Sequence, residues 1–162
     1  MELIRKMTEN DWYEVSDIYR EGVESGICTF TAAVPAWEKW NGSHCSDCRM
    51  VACENGRVTG WTALSHVSET PAYFGVVEVS LYVVSGNKYK GTGTRLLREV
   101  MQEAEKEGYW TMEARIFWEN TASIHLFKKC GFRVLGIRDK IGKKRSGEWT
   151  DTVIMEYRNQ IM

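Results

Sequence analysis

The chain has 162 residues, 43% of them hydrophobic and 27% charged, which is the size and composition of one globular domain with an ordinary core. Lys and Arg number 21 against 22 Asp and Glu, and the longest basic block is Lys143-Lys144-Arg145, so bulk nucleic-acid binding is excluded. No apolar run is long enough to span a bilayer and Met1 to Arg5 carries no secretory stretch, so the expected address is cytoplasmic, with no membrane partner.

Leu3 to Met7 reads as a short strand, followed by a helix opened by Thr8 and Asp11, running to about Glu24 and closed by Gly26. Its stripe of Trp12, Val15, Ile18, Tyr19 and Val23 has helical spacing and marks a core face. Pro35 to about Asn41 reads as a second, short helix. Met50 to Cys53 and Val58 to Ser65 flank Asn55-Gly56, a strong hairpin signal, so these are antiparallel neighbours. Val76 to Val84 is β-rich; alternation puts Val77, Val79, Leu81 and Val83 on one face and Val76, Glu78, Ser80, Tyr82 and Val84 on the other. Gly91 to about Glu107 is the clearest helix, with Leu96, Leu97, Val100, Met101 and Ala104 in one stripe and Gly108 as its stop. Thr111 to Phe117 is the next strand, so strand, helix and strand form a βαβ unit with parallel strands. Asn120 opens a shorter helix closed by Gly131, with Phe132 able to pack on Phe127. Strands at Arg133 to Ile141 and Thr152 to Tyr157 complete the chain around the turn Gly142 to Gly147. This order predicts an α/β (α+β) domain: a mixed sheet with helices against it, undivided over 1–162.

The five cysteines are an odd number and read as reduced thiols. Cys45 and Cys48 have the spacing of half a zinc site, but His66, His125 and Cys130 supply no second pair, so no metal is expected.

The run Gly86-Asn87-Lys88-Tyr89-Lys90-Gly91-Thr92-Gly93-Thr94 joins a strand to a helix start. Glycines permit close backbone approach, and the free N–H groups and positive dipole end of the helix favour phosphate. Gly86 and Gly91 share the spacing of a nucleotide-hydrolase P-loop, but Thr92 stands where the phosphate-binding lysine is required, which argues against that class.

Lys88-Tyr89-Lys90-Gly91-Thr92-Gly93 resembles the pyrophosphate loop Q/R-x-x-G-x-G/A of the GNAT superfamily of N-acetyltransferases, with Lys88 in place of Gln or Arg. Asn120-Thr121-Ala122-Ser123, Leu126-Phe127 and Gly131-Phe132 resemble its second signature, at matching spacing. Pro71-Ala72-Tyr73, Glu78 to Val83 and Gly147 to Asp151 are similar to the phosphinothricin acetyltransferase branch, whose members acetylate the α-amine of small amino acids and analogues such as methionine sulfoximine. The resemblance covers nearly the whole chain. It implies a mostly antiparallel sheet with a central βαβ unit, acetyl-CoA as co-substrate, a small amine as acceptor and a homodimer.

Carried over residue by residue, the resemblance gives Leu81, Tyr82 and Val83 to the pantetheine and Lys88, Tyr89, Lys90, Gly91, Thr92, Gly93 and Thr94 to the phosphates. Asn120 and Ser123 go to the cofactor arm; Pro71, Ala72, Tyr73, Glu78 and Ser80 face the acceptor. Apart from the resemblance, Phe30, Trp37, Trp40 and Trp61 read either as an apolar wall of the acceptor pocket or as core packing. An ammonium must lose its proton before it attacks a thioester, and Glu78 is the base this pattern implies. A strand irregularity beside Leu81 to Val83 would aim an N–H at the charge developing on the carbonyl oxygen. The chain departs from the pattern at Phe127, where the superfamily often has Tyr and this branch His: phenylalanine cannot protonate a leaving thiolate, and Tyr82, Tyr89 and His125 are the alternatives. The departures at Lys88 and Phe127 also leave open a non-catalytic acyl-CoA-binding module.

Overall fold

The computed structural model describes residues 1–88 and 90–160. Strands β1 (Glu2–Lys6), β2 (Met50–Glu54), β3 (Arg57–His66), β4 (Val76–Val83), β5 (Thr111–Phe117), β6 (Arg133–Lys143) and β7 (Trp149–Arg158) form one sheet in the order β1-β2-β3-β4-β5-β7-β6. Neighbours are antiparallel except β4 and β5. The helices are α1 (Trp12–Ser25), α2 (Trp37–Ser43), α3 (Thr92–Lys106) and α4 (Thr121–Lys129).

Local chemistry accounts for the junctions. The Asp11 carboxylate accepts from the Thr8 N–H at 2.8 Å and takes both arms of the Arg5 guanidinium at 2.8 Å, tying β1 to the turn that starts α1. That pairing holds the Asp11 carboxyl below its ordinary range. Asn55 (φ 53°) and Gly56 (φ 76°) both take the left-handed conformation that a two-residue hairpin with this twist requires. The last hairpin is longer than the sequence predicts: Gly142 pairs with Thr150 and Lys143 with Trp149, so the turn shrinks to Lys144 through Glu148.

The two faces of the sheet carry two cores. Leu96, Leu97, Val100 and Ala104 of α3 and Phe127 of α4 pack on Val77, Val79, Ala114 and Ile116. On the other side Val15 and Ile18 of α1 and Trp40 of α2 cover Val51, Trp61 and Ala63. Trp40 and Trp61 are fully buried, their rings 5.6 Å apart and edge-on. They are core rather than pocket wall.

Candidate active site

The site follows from where β4 and β5 part. Their parallel pairing covers only Val76↔Thr111, Val77↔Met112 and Glu78↔Glu113. Beyond Glu78, β4 stays on β3 through Val83↔Gly60, while β5 stays on β7 through Phe117↔Thr152. A gap therefore opens in the middle of the sheet.

Alternation decides which backbone groups face it. The Val84 N–H donates to the Thr59 carbonyl at 2.9 Å and the Val76 carbonyl accepts from the Val67 N–H at 3.3 Å, so even-numbered positions of this segment bond toward β3. Leu81 and Val83 consequently turn their N–H and C=O groups into the gap, while the Tyr82 backbone bonds away from it. The expected strand irregularity is absent here: the β3–β4 register runs unshifted from Gly60 to His66. Divergence of the two strands, rather than a bulge, frees the Leu81 N–H.

At the C-terminal end of β4 the chain turns through Ser85–Asn87 into Gly91, which caps α3 with φ 86°. The first hydrogen bond of α3 runs from the Arg95 N–H to the Gly91 carbonyl at 3.1 Å, so the N–H groups of Thr92, Gly93 and Thr94 precede the ladder. Lys88 and Lys90 are exposed beside them. Tyr89 lies outside the described residues. Gly93 is buried, and a Cβ there would sit 2.7 Å from Leu126 Cδ1 and 3.6 Å from Val83 Cγ2, so its lack of a side chain lets α3 nest against α4 and β4. The buried Thr92 hydroxyl donates to Glu2 at 2.6 Å, which gives that side chain a structural bond and leaves its backbone for a ligand.

The gap continues into a cleft of about 460 Å³ lined by Glu78, Ser80, Leu81 and Tyr82 of β4, Asn120, Ser123 and Phe127 of α4, and Phe30 of the irregular segment after α1. Asn120 caps α4, accepting from the Ser123 N–H at 3.3 Å. Phe30 packs on Phe117 with ring centroids 4.5 Å apart. Phe127 is buried, edge-on to Phe132 at 4.9 Å, and presents only ring carbon. Of the three alternatives for its missing polar group, Tyr82 lines the cleft and His125 is exposed on α4 outside the lining. Burial pushes the Tyr82 phenol up, so it stays a neutral O–H donor near neutral pH. Pro71-Ala72-Tyr73 form an exposed 3₁₀ turn in the β3–β4 connection and are not part of the lining. The basic turn is spoken for in part, with Lys144 paired to Glu119 and Lys143 over the Trp149 ring at 4.8 Å.

Glu78 sits where the strands begin to part. Burial raises its carboxyl above the ordinary range, the Arg115 guanidinium 4.0 Å away pulls it down, and Glu113 adds to the rise. Arg115 and Arg138 also line the cleft, and sequence reasoning assigns neither. The signal for Arg115 lies in the alternation of β5, which sends Glu113 and Arg115 to one face, but only the β4–β5 register puts that face beside Glu78.

Comparison with known proteins agrees with this geometry. The Acetyltransferase (GNAT) domain family matches residues 4–154. The L-amino acid N-acyltransferase MnaT of Escherichia coli is 35% identical over 107 residues, 66% of this chain and 62% of that protein, so the match spans less than two thirds of its length. The phosphinothricin N-acetyltransferase of Alcaligenes faecalis is 27% identical over 160 residues, 94% of this chain and 80% of that one. Among solved structures, the putative acetyltransferase yncA of Salmonella typhimurium, determined with its cofactor acetyl-CoA, superposes with a TM-score of 0.91 at 26% identity over 100% of this chain and 96% of that chain. A family match over most of the chain, with a superposition covering all of it, makes this chain a member of the GNAT acetyltransferase family.

Proposed function

We propose that the protein transfers the acetyl group of acetyl-CoA to the amine of a small acceptor, the α-amine of an L-amino acid or an analogue such as phosphinothricin or methionine sulfoximine. The observation that carries this reading is the parting of β4 and β5 between Glu78 and the glycine-capped start of α3. The exposed backbone groups of Leu81 and Val83 suit the amides of a pantetheine arm, and the N–H groups of Thr92, Gly93 and Thr94 with Lys88 and Lys90 suit a pyrophosphate. Asn120 and Ser123, at the opposite wall, face the thiol end of that arm.

In this reading the ammonium of the acceptor enters beside Glu78, which removes a proton directly or through water. The amine then attacks the thioester carbonyl, whose oxygen is met by the Leu81 N–H. The thiolate of CoA leaves without an acid at Phe127. A thiol with a pKa of about 8.5 is a workable leaving group near neutral pH, and Tyr82, Ser80 and Ser123 are among the hydroxyl donors that line the cleft. Relatives named for L-amino acids and for methionine sulfoximine support the acceptor class.

The test is release of free CoA thiol over a panel of amines. CoA release with small L-amino acids or their analogues supports the reading. Binding of CoA with no release from any amine overturns it in favour of a non-catalytic acyl-CoA module.

We further propose a cytoplasmic homodimer assembled on the β6 edge. β6 is the outer strand of the sheet, and Val134, Leu135, Ile137 and Ile141 on it, with Trp149 on β7, are exposed apolar side chains. A long apolar edge of this kind is a template for pairing with a second copy. Among the described residues no helix is long and apolar enough to cross a membrane. Sedimentation should give twice the chain mass, and Ile137→Asp should shift it to the monomer; a monomeric wild type at micromolar concentration removes this assignment.

A further inference from the structure

Among the described residues, three charged side chains line the cleft: Glu78, Arg115 and Arg138. Sheet geometry puts all three on one face. Glu78 is level with Glu113, Arg115 is two residues further along β5, Phe117 is level with Thr152, and Thr152 is level with Arg138. At ordinary strand spacing the Cα atoms of Arg115 and Arg138 are about 12 Å apart, within reach of one small ligand held between two long side chains.

Neither guanidinium is consumed by the protein. Arg115 approaches Glu78 at 4.0 Å and Glu113 at 3.5 Å, both longer than a hydrogen bond, so its fork of donors is near two carboxylates without being saturated by either. The Arg138 side chain makes no hydrogen bond or ion pair with another described residue. Counting Glu113, which Arg115 approaches at 3.5 Å, two guanidiniums and two carboxylates balance around the cleft. A bare ammonium would upset that balance with one uncompensated cation, whereas an amino acid offers its ammonium to Glu78 and its carboxylate to an arginine.

We propose that Arg115, backed by Arg138, is the anion anchor of the acceptor subsite, which makes a free carboxylate a requirement for a good acceptor. This rests on the acetyl-transfer reading above. Binding also acts on Glu78: a carboxylate that draws Arg115 toward itself withdraws the cation that depresses Glu78, and the base strengthens as the acceptor arrives. Arg115 is therefore a specificity and positioning residue, while the proton goes to Glu78.

The experiment compares an accepted L-amino acid with its primary amide and its decarboxylated amine. For the wild type, KM should be about 10- to 100-fold higher for the two analogues, the range expected for loss of a charge-assisted bidentate pair. Arg115→Gln should raise KM for the amino acid by a similar factor, leave KM for acetyl-CoA within about twofold, and bring amino acid and amide within about threefold of each other. Arg115→Lys should restore part of the discrimination and Arg138→Gln should lose a smaller part. Calorimetric titration of amino acid and amide into the CoA-bound protein reads the same anchor without turnover. Carboxylate-dependent binding with no CoA release would sink the transfer reading and keep the anchor. A wild type that takes the amide as well as the acid, or an Arg115→Gln variant that still discriminates like the wild type, overturns the anchor.

Discussion

Glu78→Gln is expected to lower kcat by about 10²- to 10³-fold while leaving KM for acetyl-CoA within about twofold, the signature of a lost general base. The substitution keeps shape and removes only the charge. The same variant separates catalysis from folding. Burial raises the Glu78 carboxyl above its unfolded value, so its favourable contribution to stability is complete below the unfolded pKa and is lost as pH rises through the folded one. The ionised carboxylate carries a burial cost that a neutral amide does not, so Glu78→Gln should melt at the same temperature or higher. A catalytic defect with no stability defect is the expected pair of results.

The pH profile carries the sign. A base works only when ionised, so kcat/KM should climb with pH through the pKa of Glu78, an acid limb displaced upward from that of an ordinary carboxylate. Burial sets it first, with Arg115 on β5 pulling it down and Glu113 on β5 adding to the rise; Tyr82 on β4 and Arg138 on β6 also face the cleft. In Glu78→Gln this limb should vanish. A variant that keeps wild-type turnover on the acid side of the profile would remove Glu78 from the mechanism.

Which parts of the site can be read without coordinates depends on the range of the interaction. Asn55-Gly56 and the glycine cap of α3 are local: a residue that must take positive φ announces a turn or a helix start on its own. Alternation likewise places Glu78 opposite Val77 and Val79 along β4. Arg115 and Arg138 are not legible, because each reaches the cleft only through the register of a strand far away in sequence. Composition does not encode where β4 and β5 separate either, since the pairing stops at Glu78 within two continuous β-rich runs. Motif similarity groups Pro71-Ala72-Tyr73 with the acceptor contacts, whereas the cleft wall draws on β3 to β7, α1, α4 and the segment around Phe30 and not on that turn.

The second large effect is expected at the glycine cap. Gly91 holds φ at 86°, and a Cβ built there would lie 3.1 Å from Arg95 Nη1, the side chain that reaches back to Glu2 and so ties α3 to β1. A β-branched residue in this conformation costs roughly 1–3 kcal/mol in backbone strain. Gly91→Val either carries that strain or relieves it by rotating the first turn of α3 away from β4. The first alternative lowers stability; the second moves the N–H groups of Thr92, Gly93 and Thr94 and puts two methyl groups where a phosphate must approach. Both should appear together, as a melting temperature lower by several degrees and a KM for acetyl-CoA raised about 10- to 100-fold, for a loss of roughly 1.4–2.8 kcal/mol of binding. The acceptor KM should hold, because Glu78, Arg115 and Arg138 line the cleft and the start of α3 does not. Gly86→Ala is the matched control: Gly86 has ordinary φ and open space around its Cβ position, so melting temperature should not move. Equal effects at Gly86 and Gly91 on KM for acetyl-CoA would show that the loop is merely sensitive to added bulk, and the assignment of the α3 start as the pyrophosphate seat would fall.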